Sequence, residues 1–487
     1  MLLEILSYLP TRDSLNLSAV ARPLHLIAKR HALSDVYMFS AMQVLKICAY
    51  MLEDIEERLC WVRRLTVCVW YNMSADTRDD DDPRGIKLSA PHLAVLLEHA
   101  RNLTYISIDP VELFLNAEQR IGDSLAALCH LQKLRLRQIG SGDEVMGILR
   151  RSCSNLKGLT FDDHKNLVSF PALLSNISVG HNVQSLEMDY YSTRRVPPEP
   201  VMVSQIQQPS MRCLKLPFDM ISMDACVQVF PRLRVLVLKG QSSMSGAPAA
   251  KGACWPSLDL VKASITAIRQ WPITCPVHDL SIEQVLAKPS IQVQWNRSED
   301  GELYIPIALD LIAATSPIVL ELSIMTYSKL STCFWKSIAG PGSRLRCLRI
   351  RLCEFDTASD FHASLSSWMD IVPPILATTE SLKYIRIHID GTMVRSVGCV
   401  RRTHPNVPPA PCAITPSFDT AQEFSARIIK HMPFIRLVSV GFRHNEFWWW
   451  LRSLDSPSGR PAQLIAPDFG ENIASHLCSL QADIGSP

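Results

Sequence analysis

The side chains that could do chemistry in this sequence are arranged for binding rather than for bond-making. Fourteen histidines are present, but they do not cluster. The fifteen cysteines are odd in number, scattered and never arranged as CxxC. The closest pair, Cys347 and Cys353, has no cysteine or histidine partner at zinc-ligand spacing. Phosphate-loop, nucleophile-elbow, dinucleotide and zinc-protease patterns are missing, and the run KGQSSMSGAPAAKG lacks phosphate-loop spacing. No catalytic residue, metal ligand or cofactor is therefore expected. What recurs is charge at alternate positions of short apolar segments. It appears as Lys133, Arg135 and Arg137, then Asp162, then Glu187 and Asp189, then Lys215 and Lys239. Glu283 and Glu321 follow, and last come Arg349, Arg351, Arg386 and His388. Alternation is the period of a β-strand, so these residues would share one face of a sheet. Such a face would be banded by sign, which gives a partner register and specificity.

The elements that must position these residues repeat along the chain. A six-residue pattern (apolar, two variable, apolar, one variable, apolar) occurs as LTYISI at 103, LQKLRL at 131, LKGLTF at 156 and VQSLEM at 183. MRCLKL at 211, LRVLVL at 233, LRCLRI at 345 and LKYIRI at 382 continue it. Looser copies start at 62, 258, 277, 319 and 435. From 103 to 233 the steps are 28, 25, 27, 28 and 22 residues, within the span of about 20 to 29 of leucine-rich repeats, whose strand motif is LxxLxL. Later steps of 42, 37 and 53 need insertions or missed repeats. Helical patterns precede several copies, among them HLAVLLEHARN, DEVMGILRRSCSN, LDLIAATSP and TAQEFSARIIKHM, in which Thr420 and Glu423 have capping-box spacing. Each unit is too small to bury its own apolar face, and stacking supplies the core. The expected fold is α/β: an irregular, curved array of strand–helix units, with the fourth and sixth motif residues inward and the third, fifth and seventh on the concave face.

Composition sets limits on partners. The formal charge is +2, from 49 basic and 47 acidic residues, without the basic excess of a nucleic-acid-binding protein. The most apolar window, 305–325, contains Asp310, Pro317 and Glu321 and is a poor membrane span. Free cysteines used as small apolar core residues fit a reducing compartment, cytoplasmic or nuclear.

The first thirty residues carry more leucine than three short helices can bury among themselves. Leu2, Ile5, Leu6 and Leu9 fall on one helical face, Pro10 ends that helix, and Asp13 is placed to cap a second containing Leu15, Leu17 and Val20. A third begins near Pro23, with Leu24, Ile27 and Ala28 on one side. The order Leu2, Ile5, Leu6, SYLP, Asp13, Leu15, LSAVAR, Leu24, Ile27 and Ala28 resembles the F-box. A following leucine-rich array with proline-rich insertions is similar to F-box proteins abundant in fungi. Family members usually carry a Leu-Pro step and an acidic residue ahead of Leu2, and tryptophan where Leu24 stands, so the motif is expected to be partial at its N-terminus.

The resemblance implies an F-box over 1–45 ahead of an irregular leucine-rich-repeat array over 46–445; turn-rich segments place loops near 74–85, 192–210, 240–256 and 395–419, and the tryptophan run a C-terminal cap over 446–487. It implies a non-enzymatic substrate receptor of an SCF-type (cullin-RING) E3 ubiquitin ligase. Leu2, Ile5, Leu6, Leu9, Pro10, Leu15, Leu17 and Val20 would face the SCF adaptor subunit, and through it a cullin. The array would bind a protein substrate through Arg135, Arg137, Glu187, Asp189, Arg349, Arg351, Arg386 and His388. The competing expectation is a leucine-rich interaction scaffold whose N-terminal helices cap the first repeat.

Overall fold

Every copy of the six-residue pattern lies on or runs into a β-strand, because its three apolar positions match a strand that buries one face. The computed structural model describes residues 13, 16–17, 19, 22–69, 83–139, 142–152, 155–162, 170–178, 182–189, 207–217, 220–239, 254–286, 301–325, 332–340, 343–353, 358–390, 418–442, 446–452 and 462–479. The chain divides into two compact units, Met1–Leu233 and Arg234–Pro487.

In the first unit, strands β1 (Asp35–Met38), β2 (Arg64–Cys68), β3 (Tyr105–Asp109), β4 (Lys133–Arg137), β5 (Gly158–Asp162), β6 (Ser185–Asp189) and β7 (Cys213–Pro217) follow one another in chain order. Each pairs in parallel with the next. Fourth motif residues form one ladder, Leu65–Ile106–Leu134–Leu159–Leu186–Leu214, with every member buried. The helices between strands obey the same logic. Gly142–Arg151 buries Val145, Met146, Ile148 and Leu149 on one face, with Asp143 and Glu144 in its first turn and Arg150 and Arg151 in its last, as the helix dipole favours.

Three details of this unit differ from expectation. Strand β1 and the helix Ala41–Leu52, capped by Ser40, already belong to the strand–helix series, so a boundary at 45 falls inside a helix. With only four residues, β1 carries no full motif. Asp13 is itself helical rather than a cap. The helix Pro83–His99 begins before the end of the expected 74–85 loop, with proline in its first turn where a missing N–H is harmless. Loops near 192–210, 240–256 and 395–419 lie largely outside the described residues.

In the second unit, β8 (Val235–Lys239), β9 (Leu258–Ala263), β10 (Val277–Leu286), β11 (Val319–Met325), β12 (Cys347–Cys353), β13 (Tyr384–Asp390) and β14 (Leu437–Phe442) are again parallel and in chain order. The long sequence steps are insertions, since the strands on either side of each pair directly. Register corrects one motif copy: Leu280 lies opposite Leu320, so the pattern at 319 actually starts two residues earlier. Two antiparallel strands, β15 (Glu446–Leu451) and β16 (Gln463–Ile465), and the helix Pro467–Ser479 complete this unit. In the FWWW run, Trp449 and Trp450 are buried on alternate faces of β15, and Trp448 is half-buried. The helix expected from Thr420 starts instead at Phe418, whose ring stacks on Trp450, so Thr420 lies within it and is not its cap.

Candidate functional site

The face opposite the fourth and sixth motif residues carries the charges, and register sets them in rows. In the second unit the first row, Val319–Cys347–Tyr384–Leu437, is apolar. Trp449 and the last helix, through Ala474, Leu477 and Cys478, bury it. The next row is Glu321–Arg349–Arg386–Ser439, and the one beyond is Ser323–Arg351–His388–Gly441. Where the last helix stops covering the sheet, a cleft of ≈ 310 Å³ opens, lined by Glu321, Arg349, Ile350, Arg351, Arg386, His388, Phe447 and Glu471. The four basic residues expected on this face from sequence are thus brought together.

Their counter-charges come from elsewhere in the unit. Arg349 reaches across β11 to Asp279, 3.2 Å away, and its other amine nitrogen lies 3.9 Å from the Cys478 sulfur. Burial works against the Arg349 charge, but Asp279 and its other acidic neighbours hold its pKa above the ordinary value. Burial pushes the Asp279 carboxyl up, with Arg349 opposing. Arg386 pairs with Glu471 of the last helix, and its guanidinium lies over the rings of Phe447 (4.3 Å) and Trp449 (5.1 Å). Arg351 makes a long ion pair with Glu321, 4.0 Å, and its side chain is 47% exposed. His388 sits beside Phe447, ring centroids 5.5 Å apart.

Two glycines make the aromatic wall possible. A Cβ at Gly441 would collide with the Phe447 ring, and one at Gly470 with the Trp449 indole. Below the cleft the sulfurs of Cys347 and Cys478 are 2.9 Å apart. That hydrogen bond, with Arg349 adding to it and burial opposing, holds the Cys478 thiol below its ordinary value, while Cys347 is pushed up.

In the first unit the expected residues are engaged differently. Arg137 bridges Asp109 (3.1 Å) and Asp162 (3.0 Å), both buried. Glu187 pairs with Lys215 at 3.2 Å. Arg135 is half-buried between Ser107 and Thr160 of the neighbouring strands, and Asp189 is half-buried next to Asp162. Of the expected adaptor-facing residues, Leu17 is helical and half-buried; Leu2, Ile5, Leu6, Leu9, Pro10, Leu15 and Val20 lie outside the described residues.

Sequence reasoning missed Asp279, Phe447 and Glu471. Asp279 is the third residue of the 277 copy, so the strand rule that found the arginines reaches it too. Phe447 follows from alternation in the FWWW strand. Nothing local to Glu471 marks it, since only the docking of its helix brings it to the sheet. Among the described residues, no group of three or more His, Cys, Asp or Glu could hold a metal ion, and no helix is long and apolar enough to cross a membrane.

No family model matches the chain, and no curated protein matches it. Among solved structures, a chain of the crystal structure of the Rad7 and Elc1 complex from yeast is similar at 13% identity and a TM-score of 0.36. The match covers 78% of this chain and 91% of that one.

Proposed function

We propose that this chain is the substrate-recognition subunit of an SCF-type (cullin-RING) E3 ubiquitin ligase, working in the cytoplasm or nucleus. Its F-box-like N-terminal residues dock the adaptor, and its repeats hold a protein substrate. The observation that carries this reading is the joining, in one chain, of an F-box-like helical sequence to parallel strand–helix repeats with a charged, rimmed cleft. The chain supplies no chemistry of its own. Ubiquitin transfer falls to other subunits, and the chain brings the substrate near them, which raises its effective concentration. A small apolar helical segment with anchors at i, i+3, i+4 and i+7 suits a groove on an adaptor.

One observation favours the second reading, a repeat scaffold uncoupled from ubiquitination. The C-terminal half of the helix Arg22–Ser34 buries Ala28, Ala32 and Leu33, and Arg30 stacks on Trp61 at 3.8 Å, as a capping helix would. Co-purification of the full chain with the SCF adaptor separates the two. Stoichiometric adaptor, lost in a Leu6→Asp, Leu9→Asp double variant that keeps its circular dichroism spectrum, is the result expected of a receptor. No adaptor with the natural sequence is the result expected of a scaffold.

A further inference from the structure

We propose that the cleft of the second unit binds a carboxylate or phosphate group on a partner polypeptide through Arg386 and Arg351, and that Glu471 holds the place of that group until the ligand displaces it. This deepens the reading above by naming ligand chemistry, and rests on it only for the partner's being a protein.

The argument begins with a cost. Arg349 and Arg386 are directly opposite across β12 and β13, and Arg351 is opposite His388. The like charges of Arg349 and Arg386, facing each other across strands, are destabilising. Arg349 is accounted for: Asp279 neutralises it on the sheet, and it contacts the last helix. Among the described residues, Arg386 has its ion-pair partner off the sheet, on the last helix. Its partner Glu471 is a surface residue with its side chain 57% exposed, whereas Arg386 itself is only 22% exposed. An ion pair with one partner held and the other in water is an exchangeable one.

Arg386 is also prepared for an incoming oxyanion. Its guanidinium lies over Phe447 and Trp449 and lines the cleft, so contact with two rings restricts its movement there. A fixed planar fork matches the two oxygens of a carboxylate or phosphate. Arg351 lies one row further along the same face, at the exposed side, with Glu321 at the limit of ion-pair distance. A group entering between the two arginines would gain both, in exchange for Glu471 on Arg386 and for the existing contacts of Arg351, Glu321 among them, and without displacing Asp279 from Arg349. The cleft volume of ≈ 310 Å³ has room for one acidic or phosphorylated side chain and part of its backbone. Clusters of arginine are a general means of recognising such side chains in peptides.

The test uses the purified full chain on three immobilised degenerate peptide pools that differ only at a fixed central residue: phosphoserine, glutamate or serine. The expected result is retention on the phosphoserine pool, the glutamate pool or both, and not on the serine pool; comparing the first two tells phosphate from carboxylate. Fluorescence anisotropy with a retained peptide should then show at least tenfold weaker binding for Arg386→Gln. Glu471→Gln should bind roughly two- to fivefold more tightly, because an exposed ion pair no longer competes. Arg351→Gln, at an exposed position where folding is not at stake, should weaken binding as well. Equal retention on all three pools would overturn the proposal, as would Glu471→Gln weakening binding as Arg386→Gln does. No adaptor is present in this assay, so its outcome is independent of the co-purification above.

Discussion

Arg137 in the first unit and Arg386 in the second lie on the same kind of sheet face, yet their surroundings are opposite. Asp109, Arg137 and Asp162 are the seventh residues of three successive motif copies, so parallel stacking sets a guanidinium between two carboxylates. The sheet supplies the counter-charge of Arg137 there, and both carboxylates are buried. Around Arg386 two neighbouring copies, Arg349 and Arg386, carry the same sign instead, with Glu321 flanking Arg349 only. Compensation comes from an exposed glutamate on a distant helix. An arginine between two carboxylates is a brace, whereas two arginines side by side need counter-charge from outside and are open to a partner that can supply it. Charge on a repeat face therefore indicates binding only after its register is known.

The largest effect that could break this comparison is on stability. Arg137→Ala removes the guanidinium that two buried carboxylates share and should lower stability by about 3–5 kcal/mol, read from the urea unfolding midpoint. Arg386→Gln gives up a surface pair and a stacked cation and should cost only about 1–2 kcal/mol. Equal losses would mean that both arginines are braces. Next, Gly470→Ala forces the Trp449 indole off the last helix and should cost about 1–3 kcal/mol by overpacking. The same change should shift tryptophan fluorescence, which tests whether the wall that orients Arg386 depends on that close approach. A smaller effect follows for Glu471→Gln, which should alter stability by no more than about 1 kcal/mol. A larger loss would make Glu471 a structural partner.

The smallest effect concerns two buried thiols. Burial alone pushes the Cys48 thiol of the first unit up to about 12. Its folded pKa lies above the unfolded value of about 8.5. Its contribution to stability is therefore whole below that value and declines as the pH rises towards 12. At pH 8 Cys48 should resist alkylation in the folded chain. Cys478, lowered by its contact with Cys347 and by Arg349, should react sooner, as mass spectrometry of timed samples would show. Reaction in the opposite order would remove the contrast between a neutral first-unit core and a charged second-unit cleft.

Much of this molecule was legible beforehand because its signals are local. The fourth and sixth motif residues had to be buried, since a parallel strand in a stack cannot turn that face to water, and each such residue is. That same alternation put Arg349, Arg351, Arg386 and His388 on the opposite face. The alternating brace at Arg137 was also readable, because residues at one motif position become neighbours when repeats stack. Local pattern does not extend to the short strand Asp35–Met38 or to the antiparallel pair after Phe442, which carry no repeat motif. It also misplaced the 319 copy, where four apolar residues among six allow two phases and only pairing with Leu280 chooses between them.

By itself, then, the sequence determined the parallel strand–helix repeats and which side chains share a sheet face, because both depend on spacing within a few residues. The tertiary structure alone decided which charge meets which. Docking of Pro467–Ser479 brings Glu471 to Arg386 and Cys478 to Cys347, pairs separated by 85 and 131 positions. No periodicity spans such a distance. Their meeting follows from the apolar face of that helix, Ala474, Leu477 and Cys478, finding the Val319–Cys347–Tyr384–Leu437 row as its only described cover.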